Sequence, residues 1–359
     1  MRKHYIDNIR WATVLLVIVY HVIYTFNSVG VITNITDKGI PALDSLLIFV
    51  YPWFMCLLFV VAGMSAYYAL QNKTGREFAK SRAKRLLVPS ICGIFILGWF
   101  SGWVTDQTVD MFGENRNVIP GFIKYIIYCL SGIGPLWFAH ELFLASMILL
   151  LARKLDKKNK LHELGGKVNF LVLLALGIAV WVSSLLFNTP LIEVYRNGIY
   201  VFMFLIGYYV FSHENVTDIL VKFKLPLLIA AIAMGISYTA FFYGKNYTTT
   251  ECLQSVFTNV YAWLAILAII GCAKAWGDKK NKFTQYMTKR NFGFYALHYP
   301  IMMMVAYPMI TFFDLPPVLN YIFLLLGTVI LLIPAYEIFS RIPIIKTLLL
   351  GISSKKKTK

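Results

Sequence analysis

The sequence predicts an all-α polytopic membrane protein, a bundle of about ten transmembrane helices with both termini cytoplasmic. Three observations predict it. Hydrophobic residues make up 58% of the chain and charged ones only 14%, with a mean hydropathy of +0.66, which is too apolar for a soluble globular chain. Apolar runs long enough for a hydrocarbon core of ~30 Å recur from end to end, without the alternating ten-residue segments of a β-barrel. Between those runs, 29 of the 34 Lys and Arg residues fall in alternate connecting segments.

The first span is Ile9–Phe26, IRWATVLLVIVYHVIYTF. A basic start before an apolar run also describes a signal peptide. This run is too long, contains His21 and lacks a small-residue cleavage site, so a retained span is expected. The second, about Leu43–Leu70, carries Pro52 and Gly63, which predicts a break or a tilt. The basic loop KTGREFAKSRAKR leads into a third span near Leu86–Val104, and a polar loop, TDQTVDMFGENRN, ends at Pro120–Gly121. Phe122–Leu130 is too short to cross alone and reads as interfacial or re-entrant. Leu136–Ala152, Phe170–Phe187 and Gly198–Ser212 are the next spans. The last four lie near Leu225–Tyr243, Leu253–Ala275, Phe292–Phe312 and Val318–Phe339. Residues 1–345 are expected to form one membrane domain and 346–359 a basic cytoplasmic tail, with no internal repeat and no appended esterase-like domain.

This arrangement gives the +17 formal charge its meaning. With the N-terminus cytoplasmic, only Lys38, Arg116, Lys124, Arg196 and Lys245 face outward, the positive-inside pattern. The basic balance serves orientation and contact with anionic lipid of the bilayer, and no nucleic-acid partner is expected. Cys56, Cys92, Cys129, Cys252 and Cys272 lack metal-ligand spacing and four lie in apolar runs. They read as small core residues, and neither a metal nor a permanently bound cofactor is expected.

The residues able to do chemistry are polar groups at membrane depth. Arg10 and His21 are eleven residues apart, about 1,100° of helical turn, so they share nearly one face of the first helix, roughly 16 Å apart along its axis. That face carries a permanent cation at one membrane surface and a titratable imidazole near the midplane, with Asp7 one turn before Arg10. Each alone has a plainer reading: an interhelical hydrogen bond for the histidine, an orientation signal for the arginine. In SRAKRLLVP, Arg82 and Arg85 are spaced to share a helix face and grip a phosphate by forked hydrogen bonds, although a positive-inside cluster looks the same. GPLWFAHELF opens the fourth span with Pro135 at a helix start, Trp137 in an interfacial belt, and His140 and Glu141 just inside the boundary. In KRNFGFYALHYPIMM, either His298 faces a cavity or Tyr299 packs beside a kink at Pro300.

Taken together, these stretches resemble the membrane acyltransferase-3 family of integral-membrane O-acyltransferases that modify cell-surface sugars and related acceptors. The resemblance is carried by Arg10 and His21 (R-x10-H) preceded by Asp7, by LFVVAGMSA with Gly63, by R-x-x-R-L-x-x-P, by PLWF and by FGFYALHYP, in that order along most of the chain. Ala62 departs from the serine usual before the second-span glycine, and His140 stands where many relatives carry another residue.

The resemblance implies a cell-membrane enzyme with a cytoplasmic acyl-CoA donor, acetyl-CoA first, and a hydroxyl acceptor on a cell-surface sugar or lipid-linked glycan. Arg10, Arg82 and Arg85 suit the phosphates of CoA, and His21 suits a general base, with Arg10 beside it in the catalytic set. Asp44, Trp137, His140, Glu141 and His298 are candidates for binding or orienting the acceptor, and a covalent acyl-histidine is an alternative course. A transporter or exporter of a lipid-linked sugar or small metabolite would also use ten spans and interrupted helices. A third reading is a catalytically silent relative acting as a membrane partner.

Overall fold

A computed structural model describes residues 3–31, 35, 39–188 and 195–352. The tail sequence SSKKKTK and Lys38 lie outside the described residues. The principal elements are all helices: α1 (His4–Thr25), α2 (Pro41–Val50), α3 (Phe54–Leu70), α4 (Gly75–Val109), α5 (Gly121–Ser131), α6 (Gly134–Leu155), α7 (Phe170–Ser184), α8 (Asn197–Tyr209), α9 (Glu214–Lys222), α10 (Lys224–Phe242), α11 (Val256–Trp276), α12 (Lys282–Phe312) and α13 (Pro317–Arg341). Seven apolar stretches among the described residues are long enough to cross a membrane: α1, α2 with α3, α4, α6, α10, α11 and α13. The helices α5, α7 and α8 are apolar but shorter.

Local chemistry places the boundaries. Pro52 has no N–H and its ring clashes with the carbonyl four residues back, so the second apolar stretch breaks at Tyr51–Trp53 into α2 and α3. Pro41 and Pro317 stand at first helical positions, where the missing N–H costs nothing. The side chains of Asn169 and Ser255 accept from the amides of Val172 and Thr258, capping α7 and α11. In α4 the hydrogen bonding widens to π-type turns at Ala83–Leu87 and Ile94–Gly98, the first of them ending two residues before Pro89. Helix α12 keeps Pro300 and Pro308 within one continuous run.

The chain divides into two compact units, each assembled from several separate stretches. Unit 1 comprises Met1–Thr13, Ser45–Ser81 and Glu141–Thr288. There α3 and α8 meet backbone to backbone. A Cβ on Gly63 would lie 2.0 Å from the Phe204 carbonyl oxygen, and one on Gly207 would lie 2.1 Å from that of Val60. Such contact replaces a hydrophobic drive that lipid cannot supply. Phe59 stacks on Tyr200 with centroids 4.6 Å apart. Trp263 of α11 is buried and donates to the Leu173 carbonyl of α7 at 2.8 Å. Lys3 pairs with Glu214, and the Asn8 amide donates to the carbonyls of Gly277 and Lys279, pinning the start of α1.

Unit 2 comprises Val14–Asp44, Arg82–His140 and Lys289–Lys359. Asp106 is buried and receives Arg116 through both carboxylate oxygens at 2.9 Å and the Tyr128 hydroxyl at 2.7 Å. This buried carboxylate is therefore fully paired. Arg290 of α12 forks onto Glu337 of α13. The Tyr321 ring packs edge-on against Phe26 at 5.0 Å, and its hydroxyl accepts the Ile40 amide.

Candidate active site

Helix α1 is unbroken from His4 to Thr25, so the eleven-residue spacing of Arg10 and His21 is a helical one throughout. Within unit 1, Arg10 is 32% exposed at its side chain. Its guanidinium donates to Asp7 Oδ1 at 3.3 Å and to Ser65 Oγ at 2.5 Å. Two partners on two helices hold the planar fork, which a point-charge ammonium would not reproduce.

Within unit 2, His21 is half-buried and surrounded by rings. Tyr20 and Tyr24 stand edge-on to it at 5.4 and 6.0 Å between centroids, and Tyr299 at 5.4 Å. Nδ1 of His21 donates to the Val17 carbonyl at 2.8 Å and faces Nε2 of His298 at 3.3 Å. His298 is fully buried, and its Nδ1 lies 2.7 Å from the Tyr295 carbonyl oxygen and 3.3 Å from that of Phe294. Nε2 of His21 has no hydrogen-bond partner among the described residues.

The start of α6 seats this part of α12. Gly134 has φ +48°, and a Cβ there would come within 2.6 Å of the Tyr299 ring. The Tyr295 hydroxyl donates to the Pro135 carbonyl. A glycine and the carbonyl beside it thus fix the tyrosines that flank His298. His298 and Tyr299 both contact His21.

The remaining candidates are distributed differently. Asp44 is buried, but its Oδ2 accepts from the Ser28 amide and hydroxyl, and none of its hydrogen bonds reaches His21. Arg82 is half-buried and Arg85 exposed. The π-type turn over Ala83–Leu87 winds more loosely than an α-helix, so the three-residue spacing brings their side chains less closely onto one face. Trp137 begins the regular part of α6, with its ring against Phe138. His140, in unit 2, is half-buried on α6. Glu141, in unit 1, is 2% exposed and its Oε2 has no hydrogen-bond partner among the described residues. Among the described residues no three His, Cys, Asp or Glu side chains gather into a metal site.

Sequence reading alone passed over Ser65, Tyr20 and Tyr24. The one available signal was that Tyr24 lies three residues beyond His21, on its face.

A family model described as an acyltransferase domain matches residues 3–337. The chain belongs to the acyltransferase-3 family. Similar proteins include glucans biosynthesis protein C of Escherichia coli (strain SMS-3-5 / SECEC) and of Shigella boydii serotype 4 (strain Sb227). Each is 22% identical over 377 residues, covering 98% of this chain and 94% of the relative. No solved structure matches the chain. Membership of the acyltransferase-3 family implies acyltransferase activity, and the long apolar helices make this member a multi-pass membrane protein.

Proposed function

We propose that the protein is a cell-membrane O-acyltransferase that moves an acyl group, acetyl first, from cytoplasmic acyl-CoA to a hydroxyl of a cell-surface sugar or lipid-linked glycan. A glucan is a fitting acceptor class given the names of the relatives. The observation that carries the reading is His21: one ring nitrogen is committed to the Val17 carbonyl and the other is left open. In the proposed step, Nε2 takes the hydroxyl proton as the acceptor oxygen attacks the thioester carbonyl. The C–O bond forms, the C–S bond breaks, and the thiolate leaves with the proton from His21 as free CoA. Arg10 holds the donor phosphates at the cytoplasmic end, with Arg82 and Arg85 contributing to the same task. Glu141, Asp44, Trp137 and His140 bind or orient the acceptor.

The proposed topology has ten spans: the seven long stretches, the shorter α7 and α8, and the apolar half of α12. Both termini are cytoplasmic, with residues 1–345 as the acyltransferase domain and 346–359 as a basic tail. The test is to incubate membranes containing the protein with radiolabelled acetyl-CoA and a glucan fraction. Label transferred to glycan supports the reading. Vesicle uptake of a lipid-linked sugar without label transfer would replace it with a transporter.

A further inference from the structure

We propose that His298 is a positioning residue: its Nε2 lone pair holds His21 in the tautomer whose Nε2 is free to take the acceptor proton. This rests on His21 being the general base. A backbone carbonyl can only accept, so the two carbonyls at Nδ1 of His298, those of Tyr295 and Phe294, place the proton on that nitrogen. Nε2 of His298 is then an acceptor. Its approach to Nδ1 of His21 at 3.3 Å requires a proton on the His21 nitrogen. The Val17 carbonyl at 2.8 Å requires the same. Four acceptors, three carbonyls and Nε2 of His298, thus fix two protons, and each step agrees with the next. The opposite tautomer of His21 would turn a lone pair on Nδ1 toward both the Val17 oxygen and the His298 nitrogen.

Val17 belongs to the same helix as His21, one turn before it, and could move with it. His298 comes from α12 and is fully buried, so it ties the imidazole ring to a second helix. It also solves an electrostatic problem of depth. After proton transfer His21 is a cation, and its Nδ1–H then points at two acceptors. A carboxylate in that place would stabilise the cation more strongly, but burying it between turnovers would be costly in a membrane-spanning segment. A neutral imidazole orients the base without adding a charge. The arrangement follows the general logic of a base held by a third group.

The test compares His298→Leu and His298→Gln with His21→Ala, using acyl transfer from radiolabelled acetyl-CoA in proteoliposomes. The leucine variant is expected to lose kcat by roughly tenfold or more with KM for acetyl-CoA nearly unchanged. The glutamine variant, whose side-chain oxygen can accept, should recover a large part of that loss at an equal melting temperature. An equal loss in both variants, or full activity in the leucine variant while His21→Ala is inactive, overturns the role of His298 alone. Activity in His21→Ala overturns the underlying reading instead. A second measurement needs no variant to fold. The 15N spectrum of histidine-labelled wild-type protein should show His21 and His298 both protonated at Nδ1, and an Nε2–H signal from His21 in the resting state would overturn the proposal.

Discussion

At the scale of single residues, the question is which polar groups are used and which are merely accommodated. His21 has an open nitrogen, so His21→Ala should give a protein that inserts and elutes normally but transfers acyl groups ~10²–10⁴-fold more slowly, measured as label in glycan. Arg10 is gripped by Asp7 and Ser65. Arg10→Lys keeps the charge and loses the fork, so KM for acetyl-CoA should rise several-fold, by about 1 kcal/mol of binding, with a smaller change in kcat. Ser65→Ala should move the same constant in the same direction, because it frees one side of the guanidinium. Unchanged donor constants in both variants would reduce Arg10 to an orientation signal. The R-x10-H spacing made the first pair legible without coordinates. The company of His298 was not, because no periodicity links residues 277 positions apart.

At the scale of elements, close helix approach and a loop histidine each make a prediction. Gly207 meets the Val60 backbone, which cannot retreat as a flexible side chain would. Gly207→Ala should therefore destabilise by about 1–3 kcal/mol, read as a lower melting midpoint in detergent. Gly121→Ala, where a Cβ meets nothing within 4 Å, should be close to neutral. In the loop helix Lys160–Gly165, His162 stacks on Tyr67 at 4.7 Å and lies 4.0 Å from His213. Burial, then the neighbouring His213 and Arg153, push its imidazole below the usual histidine range. The unfolded chain thus takes up a proton at a higher pH than the folded one. The stability contributed by this depressed group is complete above the unfolded value of about 6.5 and declines as pH falls through the folded one. Melting midpoints measured from pH 7.5 downward should fall in the wild type below about pH 6.5. They should fall less in His162→Gln.

At the scale of the whole molecule, the charge pattern predicts a topology that a labelling experiment can read. In intact cells a membrane-impermeant maleimide should modify Lys245→Cys, in a background without the native cysteines, and reach Lys157→Cys only after permeabilisation. Labelling of both from outside would reject the ten-span arrangement. Composition, apolar run length and cation placement made the helical membrane architecture readable from residues alone, since solvation by lipid depends on each segment by itself. The break at Pro52 was readable for the same reason: a missing donor acts locally. The unbroken passage of α12 through Pro300 and Pro308 was not, nor was the loosening of α4 around Arg82 and Arg85. Packing can override what a short sequence window prefers.

By itself, then, the sequence determined that the chain is a helical multi-pass membrane protein and that an arginine and a histidine share one helix face. Only the tertiary structure decided that Ser65 grips the arginine, that His298 meets the histidine, and that Gly134 makes room for Tyr299. Periodicity reports the environment of one helix. A hydrogen bond between two helices depends on their rotation and depth, which are set jointly by every side chain between them.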